Sequence, residues 1–88
     1  MKIKNGFVLK EVNGRPIVVA TGEASNYFKG MLTLNEMGKR MFTALQTETN
    51  ESRMADEIME EYDVERYVVL SDIRSFVEKL RSVGMIEG

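Results

Sequence analysis

Apolar and polar positions along the chain change their period near Leu34. Before it, strand-forming residues come in short runs separated by turn formers. After it, apolar residues recur every three or four positions, as on one face of a helix. Phe7-Val8-Leu9-Lys10-Glu11-Val12 predicts a first strand, and Asn13-Gly14 follows at once. That dipeptide tolerates the positive φ that a type I′ turn needs at both central positions, so residues 15–21 return as a second strand. Pro16 falls near the start of that strand, where a missing N–H is best tolerated. Residues 22–29 mix turn formers with Tyr27 and Phe28, which predicts a loop packing both aromatics back onto the sheet. Gly30-Met31-Leu32-Thr33-Leu34 reads as a short third strand. In a simple meander the second strand is central, and the first and third are edges.

Asn35 is placed to N-cap the first helix, its side-chain oxygen accepting an orphan backbone N–H. Met37, Met41, Ala44 and Leu45 then follow at helical spacing. Gly38 costs that helix about 1 kcal/mol relative to Ala, and its small size suits a close approach to the sheet. After a polar stretch at 47–50, a second helix starts at Glu51 or Ser52 and runs to Tyr62. One of its sides carries Met54, Ala55, Ile58, Met59 and Tyr62; the other carries Asp56, Glu57, Glu60 and Glu61. A third, longer helix is predicted over 65–83, with Val69, Ile73, Phe76, Val77 and Leu80 as its inward stripe. Gly84 suits the left-handed position that ends a helix, and Met85 and Ile86 are expected to fold back as an apolar closing segment. Strands followed by helices define an α+β domain, with the helices covering one face of an antiparallel sheet.

Composition narrows the chemistry. Eighty-eight residues leave room for one core, so residues 1–88 form a single domain. Lys and Arg number 12 against 14 Asp and Glu, a net charge of -2. That balance is too near neutral for a dedicated nucleic-acid or membrane-surface binder. The absence of Cys and His removes thiol nucleophiles, the commonest general base and the usual zinc ligands. Glu57, Glu60, Glu61, Asp63 and Glu65 lack the ligand spacing and central Gly of a calcium loop, and read as a solvated helix face. Gly22 and Gly30 make neither a dinucleotide fingerprint nor a phosphate loop. No catalytic residue, cofactor or metal is expected. The opening Met1-Lys2-Ile3-Lys4-Asn5-Gly6-Phe7 has no signal-peptide core. The apolar run from Ile17 to Ala20 is far short of the roughly 20 residues that span a bilayer. The expected location is cytoplasmic.

What remains is binding. Of seven Met residues, Met37, Met41, Met54 and Met59 occupy inward helical positions and serve as core. Thioethers also adapt to varied shapes at peptide-binding surfaces. The third strand carries the sharper feature. Edge strands are usually blunted by charge, Pro or a bulge, and Met31-Leu32-Thr33-Leu34 has none of these. Such an edge beside an apolar helix face is a template for strand addition by an extended peptide. Two other readings compete. The second and third helices could form a helix-turn-helix, since Arg66, Arg74, Lys79 and Arg81 lie on the third. Glu65, Asp72, Glu78 and the acidic second helix would repel phosphates, which argues against DNA. A second copy of the chain could also cover the edge, giving a homodimer.

The segment Gly30-Met31-Leu32-Thr33-Leu34-Asn35-Glu36-Met37-Gly38 resembles the G-hydrophobic-x-x-L-N-E-x-G/A stretch of PqqD-like proteins. Tyr62-Asp63-Val64, then Asp72-Ile73-x-x-Phe76-Val77-x-x-Leu80-x-x-x-Gly84-Met85-Ile86-Glu87, resembles the closing part of that family, and the likeness runs in order from Phe7 to Glu87. The resemblance implies a winged-helix-like domain of three antiparallel strands and three helices. It implies a non-catalytic recognition element, or peptide chaperone, for ribosomally synthesised and post-translationally modified peptides. Such domains bind the leader region of a precursor peptide and present it to a modifying enzyme, often a radical SAM enzyme. The leader adds as a strand beside the third strand, in a groove shared with the third helix. Carried onto this chain, Met31, Leu32, Thr33 and Leu34 would pair with the leader through their main chain. Tyr67 and Leu70 would take apolar anchors, with Ser71 beside them, and Arg74 would meet an acidic leader residue. The opposite flank of the helix, Val68, Asp72 and Ser75, is the alternative, because the sequence does not fix the helix's rotation. Members devoted to pyrroloquinoline quinone synthesis carry a Pro-Glu pair before the third strand and an Asp-Gly pair after the first helix. Here those regions read Lys29-Gly30 and Gln46-Thr47, which favours a stand-alone recognition protein for another modified peptide.

Overall fold

The computed structural model describes residues 1–88. The elements in chain order are β1 (Lys2–Ile3), β2 (Phe7–Val12), β3 (Arg15–Ala20), β4 (Met31–Thr33), α1 (Glu36–Ala44), α2 (Glu51–Glu61), α3 (Arg66–Ser82) and β5 (Ile86–Glu87). Asn13 and Gly14 take φ of 53° and 77°, the left-handed pair that matches a two-residue turn to strand twist. The turn fixes the β2–β3 register, with Val12 opposite Arg15 and Phe7 opposite Ala20. β4 adds on the far side of β3, giving the antiparallel order β2-β3-β4. The expected α+β, winged-helix-like architecture is therefore present.

Alternation along the strands sorts the sheet into two faces. Phe7, Leu9, Val18 and Leu32 point toward the helices, where they join the core, as does Leu34 just beyond β4. The stripe of α3 that meets them is Val69, Ile73, Val77 and Leu80, all buried. On α2 the buried positions are Met54, Ala55 and Ile58; Met59 and Tyr62, expected on the same side, are exposed. Of the α1 face expected from Met37, Met41, Ala44 and Leu45, the structure buries Met41 and Leu45 and leaves Met37 and Ala44 half-buried; Phe42, which the spacing did not place inward, is only 1% exposed.

Two expected terminators hold. Asn35 Oδ1 accepts the Gly38 N–H at 2.7 Å. At the end of α3, Gly84 has φ of 79°; its N–H bonds the Arg81 carbonyl and the Met85 N–H bonds that of Leu80. These paired bonds satisfy two carbonyls that the helix end would leave open. The loop after β3 contains a 3₁₀ turn at Gly22–Asn26, after which Tyr27 and Phe28 set ring edges on Phe7. Met85 and Ile86 fold back as expected, and they do more than close the core. β5 pairs antiparallel with β1, a small second sheet that the short, mixed runs at both ends did not reveal.

Candidate functional site

Main-chain directions along β4 follow from its pairing with β3. The Leu34 N–H donates to the Pro16 carbonyl at 2.9 Å. Antiparallel pairs alternate between bonded and unbonded positions, so Leu32, opposite Val18, also turns its main chain toward β3. Met31 and Thr33 turn theirs the other way, to the open edge. Each presents one N–H and one C=O there. β4 is the outermost strand of its sheet, and its ladder with β3 ends where Pro16 supplies no N–H to answer Leu34. Of the four residues expected at this edge, Met31 and Thr33 present backbone, while Leu32 and Leu34 put side chains toward the core. The Met31 side chain lies on the outer sheet face and is 65% exposed.

The end of β4 meets α3 through Gly38. A Cβ at this position would stand 3.3 Å from Leu34 Cβ and 3.4 Å from Phe76 Cε1. The missing side chain thus lets the first turn of α1 close onto both neighbours; the approach is to α3 as well as to the chain leaving the sheet. Farther along, a Cβ at Gly84 would stand 3.7 Å from the Tyr27 ring. The second half of α3 therefore runs from the Leu34 end of β4 back toward the residues preceding it. At the Leu34 end opens a pocket of about 270 Å³. Asn35, Met37, Gly38 and Met41 form one wall, and Asp72, Ser75 and Phe76 of α3 form the other. Two thioethers and a phenyl ring give it an apolar floor, and one carboxylate gives it its only formal charge.

The structure sets the two flanks of α3 against different neighbours. Asp72 and Ser75, on the flank held as the alternative, line the pocket beside the sheet's end, and Val68 lies exposed before them. The other flank faces α2. Arg74 Nε donates to Glu51 Oε1 at 3.0 Å, so its expected acidic partner comes from the chain itself. One flank neighbour, Arg66, bonds Asp56 and Ser52 in the same way. Leu70 is half-buried against the core, Ser71 is exposed, and Tyr67 is 74% exposed. Phe76 was legible only as part of the core stripe; it is partly buried and forms a pocket wall as well. The signal for the pocket was Gly38, a helix-weakening residue that lies where α1 touches α3.

Three of the five acidic residues of α2 are individually paired: Glu61 with Arg40, Asp56 with Arg66, Glu51 with Arg74. No three acidic side chains converge into a metal-holding group. No helix is long and apolar enough to cross a membrane.

An open sheet edge with an adjoining half-apolar pocket defines a small α+β domain of the winged-helix-like kind. The chain belongs to the PqqD family: the family model described as coenzyme PQQ synthesis protein D matches residues 17–86. Among solved structures, TbiB1 in complex with the TbiA(beta) leader peptide is similar in fold, at 24% sequence identity and a TM-score of 0.79. That similarity covers 100% of this chain and 96% of the other. No curated protein matches the chain.

Proposed function

We propose that this protein is a cytoplasmic, non-catalytic recognition element that binds the leader of a ribosomally made precursor peptide and presents it to a modifying enzyme, of the radical SAM type. The leader adds as a fourth strand along the outer edge of β4. The observation that carries this reading is the outward main chain of Met31 and Thr33, which is uncharged, unblunted and next to a pocket. Membership of the PqqD family and likeness in fold to a leader-peptide complex support it.

Backbone pairing alone is too weak. Two N–H and two C=O groups, at about 1 kcal/mol net each, supply about half of the roughly 8 kcal/mol that a micromolar complex needs. Side chains must supply the rest, at about 1.5–3 kcal/mol for each apolar residue fully buried, before ordering costs. The flank of α3 with Asp72, Ser75 and Phe76 is the surface that receives them. Tyr67, Ser71 and Arg74 lie on the far flank and stay outside the groove.

The test is an amide-shift titration of the labelled protein with the leader of a precursor encoded beside its gene. Shifts are expected at Gly30–Leu34 and from Asp72 to Phe76. A titration that binds but spares both segments overturns the placement. A duplex-DNA titration is expected to show no salt-dependent affinity.

A further inference from the structure

Resting on that reading, we infer that the groove selects a leader bearing a Lys or Arg two positions from an apolar residue, the basic side chain entering the pocket at Asp72. In a strand added beside β4, residues alternate between the sheet's faces. Those beside Leu32 and Leu34 point to the helical side, as Leu32 and Leu34 themselves do. They are two positions apart. The residue beside Leu32 meets the partly buried Leu32 side chain; the residue beside Leu34 meets the pocket, because Leu34 and Phe76 both border Gly38.

The pocket's chemistry chooses a cation with an apolar stem. Its only ionisable lining residue is Asp72, which takes part in none of the molecule's five ion pairs. On α2, by contrast, the carboxylates of Glu51, Asp56 and Glu61 each hold an arginine already. The start of α1 also borders the pocket, and a helix N-terminus carries roughly half a positive charge. Glu36 in its first turn answers that charge, so the full charge of Asp72 decides the sign. Below it, Met37, Met41 and Phe76 offer two thioethers and a ring to the methylenes of a long basic side chain.

The experiment displays a random library of 12-residue peptides and selects it in parallel on the full chain and on three variants: Thr33→Pro, Asp72→Asn and Asp72→Lys. Peptides lost on Thr33→Pro are the edge-bound class. That class is expected to be enriched in Lys or Arg at a fixed spacing of two from an apolar residue, in either order, the order reporting strand direction. Asp72→Asn is expected to weaken individual edge-bound peptides at least tenfold and to erase the basic enrichment. Asp72→Lys is expected to shift it to Asp or Glu. An edge-bound class with no basic preference, or with one that survives Asp72→Asn, overturns the inference and leaves strand addition standing. Failure to recover any edge-bound class overturns strand addition itself.

Discussion

The two flanks of α3 are built from similar residues and have opposite fates. Toward α2, two arginines reach across and bond Glu51, Asp56 and Ser52. Toward β4, Asp72 and Ser75 border a pocket, and the Asp72 carboxylate is in none of the chain's ion pairs. The first flank uses its charge to hold two helices side by side; the charge of the second has no partner in the chain. Net composition could not separate them, because each flank holds charged and polar residues of ordinary kinds. What separates them is the neighbour: a helix rich in acids on one side, and a strand edge with no side chain to offer on the other.

Ile73 lies between the flanks and is fully buried. Replacing it with Ala is expected to cost about 2–5 kcal/mol of stability. Thermal midpoint and peptide affinity should fall together, since both flanks rest on that contact; denaturant unfolding with a parallel peptide titration checks this. Thr33→Pro separates the two properties. It removes one outward N–H and puts a ring in the path of an incoming strand, yet leaves the β3 side of β4 alone. Peptide affinity is expected to drop at least about tenfold, a loss of about 1.4 kcal/mol, with little change in thermal midpoint. Arg74→Ala is the counterpart on the closed flank. An exposed ion pair contributes about 0–1 kcal/mol, so stability should fall by no more than that and peptide affinity should not move. A clear loss of affinity in Arg74→Ala would reverse the assignment of the flanks.

Local chemistry was legible wherever one or two residues decide a conformation. Asn13-Gly14 announced the turn, Asn35 the cap and Gly84 the helix end, because each meets a backbone requirement that few residues meet. Period also placed the three helices and the uncharged third strand. The rotation of α3 was not legible, since the choice between flanks depends on Arg74 finding Glu51 from another helix, and on Gly38 admitting Phe76. Phe42 was missed for a related reason. Adjacent apolar positions at 41 and 42 fit two neighbouring faces equally well, and only tertiary packing chooses between them. β1 and β5 are two residues each, too short for any alternation to register.

The smallest effect tests whether the helical scaffold and the peptide groove are independent. Arg40 grips both oxygens of Glu61, with Nε–Oε1 and Nη2–Oε2 each at 2.7 Å, clasping α1 to α2 away from the pocket. Hydrogen bonds from Arg40 hold the Glu61 carboxyl below the ordinary glutamate range, partial desolvation pushes it up, and the guanidinium charge lowers it again. Folding therefore lowers the proton affinity of this group. Its contribution is complete above the unfolded value of about 4.3 and is lost as pH falls through the lower folded value. Thermal midpoints measured down a pH series should show the native protein falling toward the Glu61→Gln variant below that value, with the native protein ahead at neutral pH. The gap is small because the pair is exposed to solvent. At neutral pH the same variant should bind peptide as the native protein does. An affinity that falls with Glu61→Gln would show that the α1–α2 clasp sets the position of Gly38 against Phe76, and that the groove is tuned from the closed side of the molecule.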